Sequence, residues 1–206
     1  KPNFKIQEVL QLASLFYPNW NQALAEELVK LFNLDKVMRV KALSKGMLSS
    51  LGVIVGVSSR SPITIFDEPY TGMDASARQE LYTLLIEEYD EFPRTFILST
   101  HLVDEINNLF EKVMILKEGK LIVYEDAEIL RGAGYAVSGP KNVIDHFCKG
   151  KKVIKVQAFH NTTTSILYDP QSSSNKATAL GLSVSHLSMQ ELLVNLTEKL
   201  VKEVLH

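Results

Sequence analysis

Two adjacent acids, Asp67 and Glu68, close the apolar run Ile63-Thr64-Ile65-Phe66. A short β-branched run of this kind reads as a buried parallel strand. In open α/β sheets, ligands bind at the carboxyl ends of the strands. An acid at that edge can hold Mg²⁺, directly or through water, and the metal can bridge nucleotide phosphates. A second acid beside it can orient or deprotonate an attacking water. His101 follows another apolar run, Thr95-Phe96-Ile97-Leu98-Ser99, and can reach the same edge. A histidine there can donate a hydrogen bond to a γ-phosphate. In Leu43-Ser44-Lys45-Gly46-Met47 the Ser44 hydroxyl, the Gly46 N–H and the start of a predicted helix form an anion site. Each feature alone also has a plainer reading. The acids fit a solvated loop, the histidine a helix cap or core position, and Ser44 an ordinary N-cap.

The elements that must position these residues can be read from the pattern. Ile6, Val9, Leu10, Ala13 and Phe16 follow helical spacing, and Pro18 interrupts it. Asn19 or Asn21 can cap a second helix carrying Leu24, Leu28 and Leu31. A third helix begins near Ser44 and ends before Pro62, which cannot extend it. Asp74 can cap a helix bearing Leu81, Leu84, Leu85 and Tyr89, and another helix is expected after His101. Strand and helix alternate through residues 61–112, the mark of an α/β layer. A hairpin follows over 113–124, with Gly119 in its turn.

Gly132, Gly134, Gly139 and Pro140 mark a boundary near residue 131. Beyond it, strands are expected at 135–138, 153–159, 163–168 and 182–187, with helices at 143–149 and 174–180. That β-α-β-β-α-β order is the order of a ferredoxin-like unit. Ser188 and Glu191 form a capping box for a last helix with Leu192, Leu193, Leu196 and Leu200. Residues 170–174, Pro-Gln-Ser-Ser-Ser, are the expected flexible loop.

Composition narrows the class. Of 206 residues, 46% are apolar and 22% charged, the balance of a soluble globular chain with a real core. The net charge of −2 gives no strongly basic surface, so nucleic acid is not an expected partner. Cys148 is the single cysteine, which excludes an internal disulfide. No apolar run approaches the ~18 residues of a spanning helix. The start at Lys1-Pro2-Asn3 suggests a fragment of a longer protein.

Taken together, Leu-Ser-Lys-Gly-Met, then Ile-Thr-Ile-Phe-Asp-Glu-Pro-Tyr-Thr-Gly-Met-Asp, then Ser-Thr-His strongly resembles the ATP-binding subunit of ABC transporters. Ser44 precedes Asp67 by 23 positions and His101 follows it by 34, intervals that suit this family. The resemblance covers roughly residues 1–130. It implies a P-loop NTPase α/β core, with a helical subdomain over 1–60 and the remainder of the ATPase core over 61–130; the pattern of the tail adds a small α+β domain over 131–206. It implies that Ser44, Lys45 and Gly46 lie in the signature loop, which contacts the γ-phosphate of ATP held mainly by a second subunit. Asp67 would help bind Mg²⁺, Glu68 would be the catalytic base, and His101 the switch histidine. Asp74 would belong to the loop lining the dimer interface. The implied partners are a second ABC ATPase subunit and separate transmembrane subunits, at the inner face of the cell membrane.

The chain also departs from the family pattern. Lys45 and Met47 replace a glycine and a glutamine of the usual Leu-Ser-Gly-Gly-Gln, a variation resembling small bacterial exporter-type ATPases. Phe16-Tyr17-Pro18-Asn19-Trp20 points to the antibiotic-export and stress-response branch. No Gly-x-x-x-x-Gly-Lys-Ser/Thr occurs in these residues, and the glutamine loop is also missing. The chain by itself is therefore expected to be inactive. Two other readings stand beside transport: a soluble ABC ATPase acting in DNA repair or on ribosomes, and a non-catalytic interaction module.

Overall fold

The computed structural model describes residues 3–106, 108–171 and 173–197. Contacts divide the chain into two compact units, Lys1–His101 and Leu102–His206.

In the first unit, α1 (Ile6–Phe16), α2 (Gln22–Leu31) and α3 (Lys45–Ser58) precede β1 (Ile63–Asp67), α4 (Ala75–Glu91) and β2 (Thr95–Ser99). Three helices start on the polar side chains that local chemistry favours. Asn21 accepts from the Leu24 N–H at 3.1 Å, Ser44 from Met47 at 3.1 Å, and Asp74 from Ala77 at 2.9 Å. Such caps contribute about 1 kcal/mol each. Ile6, Leu10 and Ala13 are buried along α1. Phe16 has the same spacing but is 79% exposed, because the core ends a turn earlier.

β1 and β2 pair in parallel, in register from Ile63↔Thr95 to Asp67↔Ser99. Gly56 of α3 lets the helix lie on β1, where an added Cβ would come within 2.6 Å of the Phe66 ring. Thr64 and Phe66 are buried on that side, whereas Ile63 and Ile65 are 59% and 69% exposed. The expected burial of both strand faces is thus half met, because the described residues cover only one of them. At the amino ends of the strands, Glu88 of α4 is buried between two arginines. Arg94 donates to its Oε2 at 2.9 Å and Arg60 to its Oε1 at 3.2 Å. Arg94 also donates to the Val57 carbonyl at 3.0 Å, which ties α3, α4 and β2 together.

The second unit opens with a 3-10 turn, Val103–Ile106, in place of the expected helix. Its polar groups are bonded to the start of α8 instead of to a following helical turn. Val103 N–H donates to Gln190 Oε1 at 2.9 Å, and Gln190 N–H donates to Asp104 at 3.0 Å. β3 (Lys112–Lys117) and β4 (Lys120–Asp126) form an antiparallel hairpin whose turn places Gly119 at φ 73°. α5 (Ala127–Ala133) runs through Gly132, where a break was expected, directly into β5 (Gly134–Gly139). α6 (Lys141–Cys148), β6 (Lys152–Phe159), β7 (Thr162–Tyr168), α7 (Ser174–Ala179), β8 (Ser183–His186) and α8 (Met189–Thr197) follow. The last four strands make an antiparallel sheet in the order β6-β7-β5-β8. Tyr135 and Val137 of β5 and Leu167 of β7 pack with Ile144 and Phe147 of α6, Ala177 of α7 and Leu182.

The Ser188–Glu191 capping box is present at α8, with bonds of 2.8 and 3.1 Å. Leu192 and Leu196 pack on Ile115, Val123 and Leu130, so the hairpin and α5 receive the leucine face of α8. Leu200 and Ser172 lie outside the described residues. Among the described residues no helix is long and apolar enough to cross a membrane.

Candidate functional site

Parallel pairing places the ends of β1 and β2 side by side and brings Asp67 opposite Ser99. The Ser99 hydroxyl donates to Asp67 Oδ1 at 2.5 Å and accepts the Glu68 N–H at 3.0 Å. One serine therefore holds the Asp67 carboxylate and the backbone of Glu68. Glu68 takes a left-handed backbone, φ 47°, immediately before Pro69. For a residue with a Cβ this conformation costs about 1–2 kcal/mol, and such strain collects at functional positions. The turn is held closed on the Glu68 carbonyl, which accepts the Thr71 N–H at 3.1 Å and the Thr71 hydroxyl at 2.8 Å.

His101 lies two residues beyond β2. Its Nδ1 stands 2.8 Å from Glu68 Oε1 and 3.1 Å from the Tyr70 hydroxyl. The side chains of His101 and Glu68 are 66% and 39% exposed, so the pair is open to a ligand. Tyr70 is buried beneath them, edge-on to the imidazole at 5.6 Å between centroids.

The Ser44 loop meets the same turn from its other side. Ser49, on the second turn of α3, donates to the Thr71 carbonyl at 2.8 Å. Gly46 packs on the backbone of Gly72, which has φ 81°. Ser44 and Lys45 are exposed beside this contact, and Asp74 closes the loop as the cap of α4. The structure thus gathers Asp67, Glu68 and His101 into one cluster and sets Ser44, Lys45, Gly46 and Asp74 around the other flank of residues 68–74. Ser99, Tyr70 and Ser49 were not singled out from the sequence. For Ser99 the signal was available, since a parallel register of the two strands brings it opposite Asp67.

No group of three or more His, Cys, Asp or Glu among the described residues could enclose a metal by itself. Asp67 is an exposed oxygen donor at a strand end. That fits Mg²⁺, which is ordinarily held by one or two carboxylates together with water and phosphate oxygens.

A serine-capped helix leads into a strand ending in Asp-Glu, a tight turn leads into the next helix, and a histidine follows the neighbouring parallel strand. The curated proteins to which this chain is similar are ATP-binding proteins of ABC transporters, and the solved structures that share its fold are ABC ATPase domains. Residues 5–106 match the family described as "AAA domain, putative AbiEii toxin, Type IV TA system". The chain is 31% identical over 173 residues to the ATP-binding cassette sub-family A member 17 of Rattus norvegicus, covering 80% of this chain and 9% of that protein. It is 39% identical over 93 residues to an uncharacterized ABC transporter ATP-binding protein of Methanocaldococcus jannaschii, covering 45% of this chain and 35% of that protein. With the ABC transporter ATP-binding protein YtrB of Bacillus subtilis the identity is 20% over 128 residues, covering 62% of this chain and 44% of that protein. The chain therefore spans less than half the length of these relatives. Among solved structures, an ATP-binding subunit of an ABC transporter superposes with a TM-score of 0.55 at 24% identity, covering 62% of this chain and 55% of the other. The dimeric structure of a post-hydrolysis state of an ATP-binding cassette, bound to ADP and Pi, superposes with a TM-score of 0.53 at 20% identity, covering 62% of this chain and 58% of the other.

Proposed function

We propose that this chain is part of the ATP-hydrolysing subunit of an ABC transporter. The observation that carries the reading is the convergence of Asp67, Glu68 and His101 at the carboxyl end of the β1–β2 pair. Glu68 orients a water and takes its proton as the water attacks the γ-phosphorus. The bond to the bridging oxygen breaks, and ADP leaves with the electron pair. His101 donates to a γ-phosphate oxygen. Asp67 would hold Mg²⁺, and the metal would supply charge neutralisation at the phosphates.

Ser44 Oγ accepts from the Met47 N–H, which leaves its proton to donate to an anion. Lys45 and the Gly46 N–H stand beside it at the helix start. In this reading they receive the ATP of a second subunit, and Asp74 lies in the loop along the dimer interface. The dimeric cassette among the structural relatives supports that arrangement.

The phosphate-binding and glutamine loops belong to a part of the protein outside these residues. The bare face of Ile63 and Ile65 supports a further layer, outside these residues, covering that side of the sheet. Leu15 and Phe16, 77% and 79% exposed at the end of α1, support docking of transmembrane subunits on the helical part, at the inner face of the cell membrane. Residues 1–60, 61–130 and 131–206 are then the helical subdomain, the rest of the core and an accessory unit. The strand order β6-β7-β5-β8 supports a ferredoxin-like form for that unit, with no catalytic role.

The test is Glu68→Gln in the full-length protein. ATP binding is expected to persist while turnover falls by about a hundredfold or more. Near-normal hydrolysis would remove Glu68 from this role.

A further inference from the structure

Tyr70 follows Pro69 in the turn after the acids and is only 4% exposed. Its hydroxyl has three neighbours, each at 3.1 Å: the Thr100 hydroxyl, the His101 backbone N–H and His101 Nδ1. The first two donate and occupy the acceptor positions of the phenol oxygen. The remaining neighbour for the phenol proton is Nδ1. That same nitrogen lies 2.8 Å from Glu68 Oε1.

One ring nitrogen cannot serve both groups. When Nδ1 carries a proton it donates to the Glu68 carboxylate, and the phenol proton is left without an acceptor. When Nδ1 is bare it accepts from Tyr70, and a carboxylate oxygen at 2.8 Å faces a lone pair and is repelled. The two arrangements exclude each other. In the second, the ring proton sits on Nε2, on the far side of an imidazole whose side chain is 66% exposed.

We propose that Tyr70 is a positioning residue that sets which nitrogen of His101 carries the proton and so releases Glu68. In one state His101 holds the carboxylate. In the other, Tyr70 holds the ring, Nε2–H points outward as a donor, and Glu68 is free to take water. The burial of Tyr70 and its two incoming donors keep the hydroxyl in place while the exposed partners exchange. The consequence for turnover rests on the reading of Glu68 and His101 as the hydrolytic pair. The ring state does not.

The decisive measurement is the histidine-ring ¹H–¹⁵N correlation spectrum of the 206-residue chain at about pH 8, where a free imidazole is neutral. In Glu68→Ala the His101 ring is expected to move toward the Nε2–H form. In Glu68→Ala/Tyr70→Phe that displacement is expected to vanish, with backbone amides remote from the site unchanged. Identical His101 ring spectra in the two variants would overturn the proposal. In the full-length protein, Tyr70→Phe is expected to lower kcat by about threefold to tenfold with KM for ATP unchanged. An unchanged kcat would overturn the functional half. Absence of hydrolysis in the wild-type full-length protein would sink the ATPase reading instead, and the ring spectra would still decide the role of Tyr70.

Discussion

Gly46 and Gly72 lie backbone against backbone. A Cβ added to Gly46 would stand 2.2 Å from the Gly72 carbonyl oxygen, and one added to Gly72 would stand 2.8 Å from the Gly46 nitrogen. The amino-terminal end of α3 is therefore seated on the turn that carries Glu68. Backbone cannot step aside as a flexible side chain can, so the fit requires glycine at both positions.

Gly46→Ala is expected to destabilise the first unit by about 1–3 kcal/mol through forced displacement of that turn. Gly52, further along α3, has open space around it. Gly52→Ala is expected to stabilise by roughly 0.5–1 kcal/mol through helix propensity alone. Denaturant unfolding of both variants gives the comparison. Equal or greater stability for the Gly46 variant would show that the seating is loose.

The 206-residue chain by itself is expected to hydrolyse ATP only at background rate. Positioning and electrostatic stabilisation of the phosphates supply most of phosphoryl-transfer catalysis, and no phosphate-binding loop occurs in this sequence. Phosphate release would be measured with and without Mg²⁺, in the wild type and in Glu68→Gln. A metal-dependent rate that disappears in the variant would contradict the expectation.

Arg94→Ala is expected to cost about 3–5 kcal/mol, because it strips the buried Glu88 carboxylate of its closest cation. Lys36 also pairs with a glutamate, Glu26, but both side chains are 38% exposed. Lys36→Ala should cost less than about 1 kcal/mol. Thermal or urea unfolding separates the two. Similar losses in both variants would mean that burial of the Glu88 pair adds nothing.

The second unit should be acid-sensitive at Asp169. Burial pushes this carboxyl up, but the Ser173 side chain and backbone N–H, the Tyr135 hydroxyl and the Lys151 charge outweigh it and hold the carboxyl down at about 2. A depressed carboxyl contributes stability above its unfolded value, near 3.8, and loses it as the pH falls toward 2. The contribution at neutral pH is about 2 kcal/mol. Asp169→Asn should therefore weaken the fold at pH 7 and flatten the loss of stability between about pH 5 and 2. Parallel acid limbs for wild type and variant would exclude Asp169 as the cause.

What was legible in the sequence is what neighbouring residues settle among themselves. Ser44, Asp74 and Ser188 with Glu191 cap their helices because a short polar side chain reaches the N–H groups two or three residues on, whatever the rest of the chain does. The acids at the end of β1 and the histidine after β2 follow from strand pattern and order, so most of the candidate site could be named before any coordinates.

Contacts between distant segments were decided only by the tertiary structure. Ser99 bridges Asp67 and Glu68 because the parallel register puts it there. Tyr70 reaches His101 across 31 positions because the turn folds back beneath the ring. Asn21, not Asn19, caps α2, and the helix expected after His101 becomes a short turn because Gln190 and Asp104 take its bonds. The exposure of Ile65 and Phe16 is likewise invisible in their spacing. Apolar periodicity tells which side chains share a face, and only packing tells whether that face is covered.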